Sequence, residues 1–337
     1  MPFCFLTPGA FTGGPMALHQ AAARLNALGG QASVMYITDK ELGAGLDAFA
    51  QEGAGAQAKV RMRKGLRQSR PDRRLDMFEV PQLQAAPLET HFIVPEVWPD
   101  LASALVNHGC PNVHIWWLSV DNFPLNLLNQ LVNQRLIRAC NNLCQSAYAA
   151  DFVRKNGAQN VSMLSDFVEL DEVKNPKPIA ARSIDIAYLP AKARGAEPLL
   201  DALGRDFKIV PLQNMTRDQV VETLSDSKIF LDCGNHPGKD RVPREAALCG
   251  AIPVVRHEGA ARFTQDVPLP ETLLIETESF FSVDQMRERI QAVLNASKEV
   301  SSDLARYREI IKCERAVFDT EIAALIEQDQ TLPVRKT

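Results

Sequence analysis

The densest concentration of reactive and ligand-binding side chains lies between Leu231 and Ala261, LDCGNHPGKDRVPREAALCGAIPVVRHEGAA. This stretch reads as a strand end, a polar loop with glycines at 234 and 238, a helix over 243–248 and a further strand. Pro243 suits a first helical turn, where its missing N–H costs nothing, and Glu245 falls in the same turn. Backbone N–H groups of such a loop and helix start attract phosphate oxygens. Lys239, Arg241 and Arg244 add positive charge beside Gly238 and Asp240. An ionised Glu245 only accepts hydrogen bonds and can take both hydroxyls of a ribose. Its plainer role is a carboxylate favoured by the helix dipole, by about 0.3–1 kcal/mol. His236 is the histidine best placed for catalysis because it lies in this loop, whereas His19 and His114 read as structural.

Such a loop needs a parallel sheet to carry it, and the chain supplies the pattern twice. Apolar runs at 3–6, 32–37, 91–94, 113–118, 142–145 and 161–164 predict the first set of strands. Runs at 184–189, 208–210, 228–231, 252–255 and 273–275 predict the second. Helical patterns intervene at 16–27, 101–107, 147–155, 197–203, 217–224, 243–248 and 284–294. Strand, helix, strand in alternation gives an α/β chain with parallel sheets. The expectation is two Rossmann-like domains facing each other across a cleft, with ligands at the carboxyl ends of the strands. Residues 1–170 form the first domain, 171–182 (DEVKNPKPIAAR) a linker, 183–300 the second domain and 301–337 a helical tail.

The run PREAALCGAIPVV closely resembles the Glu-Ala-x-Ala-x-Gly-x-Pro-Val-Val segment of GT-B glycosyltransferases, especially retaining family 4. In that family the Glu binds the ribose of the donor nucleotide, a role that falls on Glu245. The family also carries a Glu eight positions earlier, where this chain has Pro237. IDIAYLPAKARGAEPLLDAL resembles the first strand and helix of the nucleotide-binding domain, whose diphosphate-binding cations fall on Lys192 and Arg194. Such cations stabilise a departing diphosphate without a metal. TPGAFTGGPMALHQAAARLNALGG resembles the Gly-rich first loop and helix, in which Gly13 and Gly14 permit close backbone approach to the donor. The resemblance implies a retaining, metal-independent, hexosyltransferase-type enzyme of glycan or polysaccharide assembly. A nucleotide diphosphate sugar is its co-substrate, and it has no other cofactor.

The first half offers acceptor-side candidates. VHIWWLSVDNF brings Trp116, Trp117 and Asp121 to a strand end, and VPEVWPD does the same for Glu96. Asp121 can act as general base and Trp117 can stack on a sugar. Core tryptophans and a capping Asp121 are the plain alternative. The run from Arg61 to Arg74, RMRKGLRQSRPDRR, holds seven basic residues and one acidic. It reads as a polar loop, either solvated or meeting anionic lipid or a lipid-linked diphosphate acceptor.

The net charge of −4 over 337 residues excludes a typical nucleic-acid binder. Seven scattered cysteines suit a reducing compartment, and only Cys140 and Cys144 have the spacing to share a helix face. No metal site is expected. No opening signal pattern or long apolar run appears, so the expected location is cytoplasmic, at the inner face of the membrane where the basic run meets it. A sugar-nucleotide epimerase of the same fold and a non-catalytic sugar-nucleotide binder are the competing readings. A nicotinamide dehydrogenase is disfavoured, because no G-x-G-x-x-G follows the opening strand.

Overall fold

The computed structural model describes residues 1–37, 46–50, 58–62, 71–170 and 177–331. The chain divides into one unit of Met1–Asp166 with Ala316–Thr337, and a second of Phe167–Arg315.

The first unit contains β1 (Phe3–Thr7), α1 (Gly13–Ala27), β2 (Ala32–Tyr36), β3 (Leu46–Ala50), β4 (Ala58–Met62), β5 (Ala85–Pro87) and β6 (His91–Pro95). It continues with α2 (Pro99–Asn107), β7 (Val113–Trp117), α3 (Leu131–Ala139), β8 (Asn141–Cys144), α4 (Ala147–Lys155) and β9 (Val161–Met163). Its main sheet is parallel throughout, in the order β2-β1-β6-β7-β8-β9. Strands β1, β2, β6 and β7 are buried along their whole length, as a parallel sheet covered on both faces requires. Leu6, Val94, Ile115, Leu101 and Val153 belong to its core.

A small antiparallel sheet, β3-β4-β5, stands beside this and was not expected from sequence. Strand β4 takes in Arg61 and Met62 from the supposed basic loop. Residues 63–70 of that run lie outside the described part. At its end Arg74 donates to Asp72 at 2.6 Å and lies 4.4 Å from the Phe11 ring centroid, so this cation is partnered within the unit. Cys140 and Cys144 do not share a helix face. Cys140 caps α3 and Cys144 lies in β8.

The second unit contains β10 (Ile184–Tyr188), α5 (Glu197–Leu203), β11 (Ile209–Pro211), α6 (Arg217–Ser225), β12 (Ser227–Asp232), α7 (Arg241–Leu248), β13 (Ile252–Arg256) and β14 (Leu274–Ile275). Helices α8 (Thr277–Phe280), α9 (Val283–Asn295), α10 (Ser297–Asp303) and α11 (Ala305–Thr331) follow. The sheet is parallel in the order β11-β10-β12-β13-β14. Ile186, Ile229, Val254, Leu203, Leu248 and Ile290 pack in its core. Helix α7 ends on Gly250 at φ +80°, where the N–H of Ala251 closes back on Ala246 at 2.9 Å. That left-handed stop is the usual use of glycine at a helix end. Among the described residues no helix is long and apolar enough to cross a membrane.

Candidate functional site

In the second sheet the strand order reverses between β10 and β12, since β11 flanks one side and β12 to β14 run off the other. Loops leaving two strands at such a point diverge and open a crevice at the carboxyl ends. The loop after β10 carries Lys192 and Arg194, and that after β12 carries Gly234, His236, Gly238, Lys239 and Asp240. Lys192 Nζ donates to Asp240 Oδ1 at 2.5 Å and ties the two loops together. The lysine side chain is 33% exposed and the aspartate 13%.

Asp232, which ends β12, is buried beneath this pair. Its Oδ1 accepts the N–H of Gly234 at 2.9 Å. A Cβ at Gly234 would come to 3.0 Å from that oxygen and 3.1 Å from Lys192 Cδ, so a larger residue there would press on both partners. His236 is 1% exposed, with Nε2 3.7 Å from Asp232 Oδ2 and Nδ1 3.5 Å from Asp240 Oδ2. Neither ring nitrogen makes a hydrogen bond, and both separations exceed ordinary bonding distance. Burial pushes the Asp232 carboxyl above the usual range against the opposing pull of His236, and the charge of Asp240 pushes it further up.

The loop is fixed from below. His236 sits at φ +47°, a left-handed conformation that histidine tolerates better than most residues. The N–H of Ala260 donates to the His236 carbonyl at 2.7 Å. A Cβ at Gly259 would lie 2.1 Å from that carbonyl oxygen, so the close approach requires glycine.

Helix α7 begins at Arg241, two residues earlier than the sequence suggests, with Asp240 as its N-cap. Glu245 therefore stands in the second turn, not the first, which weakens the helix-dipole role. Its Oε1 is 3.6 Å from Arg217 Nη1. Arg217 opens α6, which is started by a reciprocal capping box between Thr216 and Gln219. Sequence reading missed Arg217.

Two of the expected phosphate cations are held elsewhere. Arg244 is 2% exposed and donates to Glu314 Oε2 at 2.7 Å, the Lys239 carbonyl at 2.9 Å and the Asp240 carbonyl at 3.1 Å. Lys239 Nζ is 3.1 Å from Glu314 Oε1. Both side chains brace the loop from inside rather than standing beside it. Glu314, on α11, was read only as part of a packing helix. Nothing local in sequence signals a partner 70 residues away. Asp232 was likewise missed, although the spacing Asp232, His236, Asp240 was visible as two steps of four residues. Arg194 is exposed, Gly238 is buried, and Arg241 occupies the first position of α7.

The corresponding edge of the first sheet, at β1 and β6, looks different. Gly13 and Gly14 open α1 three residues earlier than expected. Among the described residues, no atom outside the adjoining chain lies within 4 Å of a Cβ built at Gly13, and Leu118 Cδ1, at 4.0 Å, faces one at Gly14. Glu96 is 2% exposed and Oε2 accepts the Leu118 N–H at 3.0 Å. Its acid is therefore spent on backbone instead of being offered to an acceptor, and burial raises its pKa to about 8. Trp117 is fully buried, and its indole N–H donates to Asn142 Oδ1 at 2.9 Å. This corrects the expectation of a stacking platform. Trp116 is equally buried and donates to the Leu164 carbonyl. Asp121 is exposed in a 3-10 turn and accepts from Tyr148 Oη at 3.4 Å. His19 is satisfied, by the Pro15 carbonyl at 2.7 Å and Tyr36 Oη at 2.8 Å. His114 pairs with His91 at 2.9 Å.

Among the described residues, Asp232, His236 and Asp240 form one group whose ligand atoms lie within 4.8 Å of one another, the spacing a metal ion would need. The Lys192 ammonium already occupies one face of Asp240.

No protein-family profile matches this sequence, and no curated protein matches it. Its fold is nonetheless shared with solved structures. Sucrose-phosphate synthase from Thermosynechococcus elongatus superposes at a TM-score of 0.61 with 12% identity, covering 99% of this chain and 100% of that one. Anabaena HepE, solved in complex with UDP and glucose, gives 0.63 and 12%, covering 96% and 99%. The lipopolysaccharide outer core galactosyltransferase WaaB gives 0.59 and 11%, covering 98% and 100%. The chain has the two-domain α/β fold of the GT-B glycosyltransferases.

Proposed function

We propose that this chain is a hexosyltransferase-type glycosyltransferase that moves a sugar from a nucleotide diphosphate donor onto a glycan or lipid-linked acceptor, without a metal and with retention. The observation that carries the reading is the Lys192–Asp240 pair at the switch point of a sheet that shares its fold with a UDP-bound protein. The bond between the anomeric carbon and the β-phosphate oxygen breaks, and a bond from that carbon to an acceptor oxygen forms. The acceptor proton leaves with the nucleotide diphosphate or passes to a nearby base. In this reading Lys192 exchanges Asp240 for phosphate and, with Arg194, offsets the leaving-group charge. The N–H groups around Gly238 and the start of α7 support the same oxygens. Glu245 holds the ribose. His236 stands beside the donor sugar as proton carrier, with Asp232 and Asp240 on either side. In the first unit, Asp121 and the α1 start at Gly13 and Gly14 are the candidates for sugar contact. The basic run ending at Arg74 meets anionic headgroups at the cytoplasmic face of a membrane.

Calorimetric titration with UDP and other nucleoside diphosphates tests this. A Lys192→Ala protein should bind on the order of tenfold to a hundredfold more weakly, the loss of one charge-assisted contact. Unchanged affinity, or no binding of any nucleoside diphosphate to the wild type, would overturn the reading. Product analysis with donor alone separates transfer from epimerisation.

A further inference from the structure

In the first unit, the crossover from β7 to β8 turns one face of a helix outward. Helix α3 buries Asn133, Leu136 and Ile137, which fall on one side at 3.6 residues per turn. Its other side carries Leu131, Val132, Arg135 and Arg138, all exposed. Leu131 is 68% exposed and Val132 55%, and Leu125, in the turn just before the helix, is 44% exposed. A single exposed aliphatic side chain is ordinary, whereas three in one short segment point to a surface that meets something apolar.

The positive charge on this face is unpaired. Among the described residues, the side chains of Arg135 and Arg138 have no ion-pair or hydrogen-bond partner. A Cβ at Gly157 would lie 2.9 Å from Arg138 Nε, so Arg138 rests against the end of α4. The last turn of α4 carries a third arginine without a side-chain partner, Arg154. No acidic residue occurs from 122 to 150. Of the acids that flank this stretch, Asp151 is taken by Lys155 at 2.7 Å and Asp121 accepts from Tyr148 Oη at 3.4 Å. Helix α2, which packs against α3, adds one exposed acid, Asp100, and it pairs with neither arginine.

Apolar tips and arginines on one outward face suit a bilayer interface. There, aliphatic side chains enter the acyl boundary while guanidinium groups meet lipid phosphates. A protein partner fits less well. The nine residues of α3 make a helix about 14 Å long and roughly 10 Å wide, far short of the roughly 800 Å² that a stable interface takes from each side.

We propose that the outward face of α3 docks on an anionic lipid surface, with Leu131 and Val132 entering the interface and Arg135 and Arg138 on the phosphates. This contact is separate from the basic run ending at Arg74, which belongs to another element. Asp121, a candidate for sugar contact, lies in the same crossover, so a lipid-borne acceptor would arrive beside it. That consequence rests on the transferase reading, whereas the vesicle contact does not.

The test is flotation of the full chain with phosphatidylcholine vesicles, with and without phosphatidylglycerol. The wild type should float with the anionic vesicles. Arg135→Glu/Arg138→Glu should lower that binding about tenfold or more, and most at low salt. Leu131→Ser/Val132→Ser should lower it at every salt concentration, because the loss is apolar. All four positions are exposed, so unfolding midpoints should match the wild type. Nucleoside diphosphate binding should be unchanged in both variants, which keeps the result apart from the donor site. Flotation that is absent in the wild type, or undiminished in either α3 variant, overturns the proposal. Loss confined to Arg73→Glu/Arg74→Glu also overturns it and returns the contact to the basic run. A wild-type dimer in light scattering that Leu131→Ser/Val132→Ser makes monomeric, with no flotation, assigns the face to a second copy instead.

Discussion

The two parallel sheets reverse their strand order in the same way, at β1/β6 in one and β10/β12 in the other, yet the polar groups at the two carboxyl edges are used differently. At the first edge the carboxyl of Glu96 is bonded to backbone N–H and the indole of Trp117 to a buried amide. Withdrawing either leaves a buried donor or acceptor unsatisfied, at about 1–3 kcal/mol each. At the second edge the partner of Lys192 is a side chain, and the lysine is one-third exposed. A pair like that gains little, about 0–1 kcal/mol, and a phosphate can replace the carboxylate at small cost. A polar group bonded inside the core belongs to the fold, and a partly exposed pair of side chains can be exchanged for a ligand.

The largest effect that would break this contrast concerns Glu96. Burial raises its pKa from the ordinary 4.5 to about 8. The folded state therefore favours the protonated acid. The stability this gives is fully present below pH 4.5 and is lost as pH rises through 8. The total is on the order of 4–5 kcal/mol, at about 1.4 kcal/mol per pH unit. Glu96→Gln keeps a neutral side chain throughout. It should match the wild type within about 1 kcal/mol at low pH and exceed it above pH 8. Urea unfolding across pH 4 to 9 checks this. A wild-type profile no steeper than that of the variant would mean the acid is as exchangeable as the groups of the second edge.

The next effect sharpens the contrast inside the second edge. Arg244 is buried on Glu314, and Lys239 shares the same carboxylate. Glu314→Ala leaves a buried guanidinium without its counter-ion and should cost about 3–5 kcal/mol, whereas Lys192→Ala should cost less than about 1 kcal/mol. Replacing the pair together, as Arg244→Met with Glu314→Leu, should recover most of the loss. Equal unfolding midpoints for Glu314→Ala and Lys192→Ala would remove the distinction between braces and exchangeable cations.

Glu245 comes third. It has a side-chain partner, Arg217 at 3.6 Å, so by the same rule it is available to a ligand. Glu245→Gln should weaken nucleoside diphosphate binding tenfold to several hundredfold, through the loss of charge-assisted bonds of roughly 1.5–3 kcal/mol each. Its effect on stability should stay below about 1 kcal/mol, since Arg217 is half exposed. Calorimetric binding and thermal unfolding on the same sample measure both. Wild-type affinity with a lowered midpoint would return Glu245 to a structural role.

Much of this was legible in the sequence where the physics is local. Apolar runs fixed the β-strands of both parallel sheets to within about two residues, because strands buried on both faces have to be apolar throughout. His236 and Asp240 could be picked out because a loop between a buried strand and a helix has few reasons to be so polar, and Lys192 because its segment resembles the first strand and helix of the family's nucleotide-binding domain. What the sequence did not reveal depends on distance along the chain. The bond from Arg244 to Glu314 spans 70 positions, and no period in either segment announces it. Strands β3 and β4 are five residues each and pair antiparallel in a small separate sheet. α3 has the apolar face of a helix but was passed over between two stronger strands. Charge alone also misled, since Lys239 and Arg244 are cations of the right type in the right loop with their carboxylate hidden on α11.

The smallest expected effect is the absence of one. Asp232, His236 and Asp240 bring their ligand atoms within 4.8 Å, and His236 offers two nitrogens without hydrogen bonds. A divalent ion there would compete with the Lys192 ammonium for Asp240, which the lysine holds at 2.5 Å. It would also need Asp232 ionised, and burial pushes that acid the other way. Donor phosphates that draw Lys192 off Asp240 bring its charge with them and leave less need for a cation between them. Turnover with a nucleotide sugar should therefore stay within about twofold on adding a chelator, because Lys192 and Arg194 offset the charge of the leaving group. If chelation abolished turnover and manganese or magnesium restored it, the same three residues would be the place to look. In that case Asp232→Asn should abolish the restoration while leaving nucleoside diphosphate binding measurable. The second edge would then be exchangeable for a metal rather than for phosphate, and Lys192 would be a placeholder for the ion instead of the group that meets the donor.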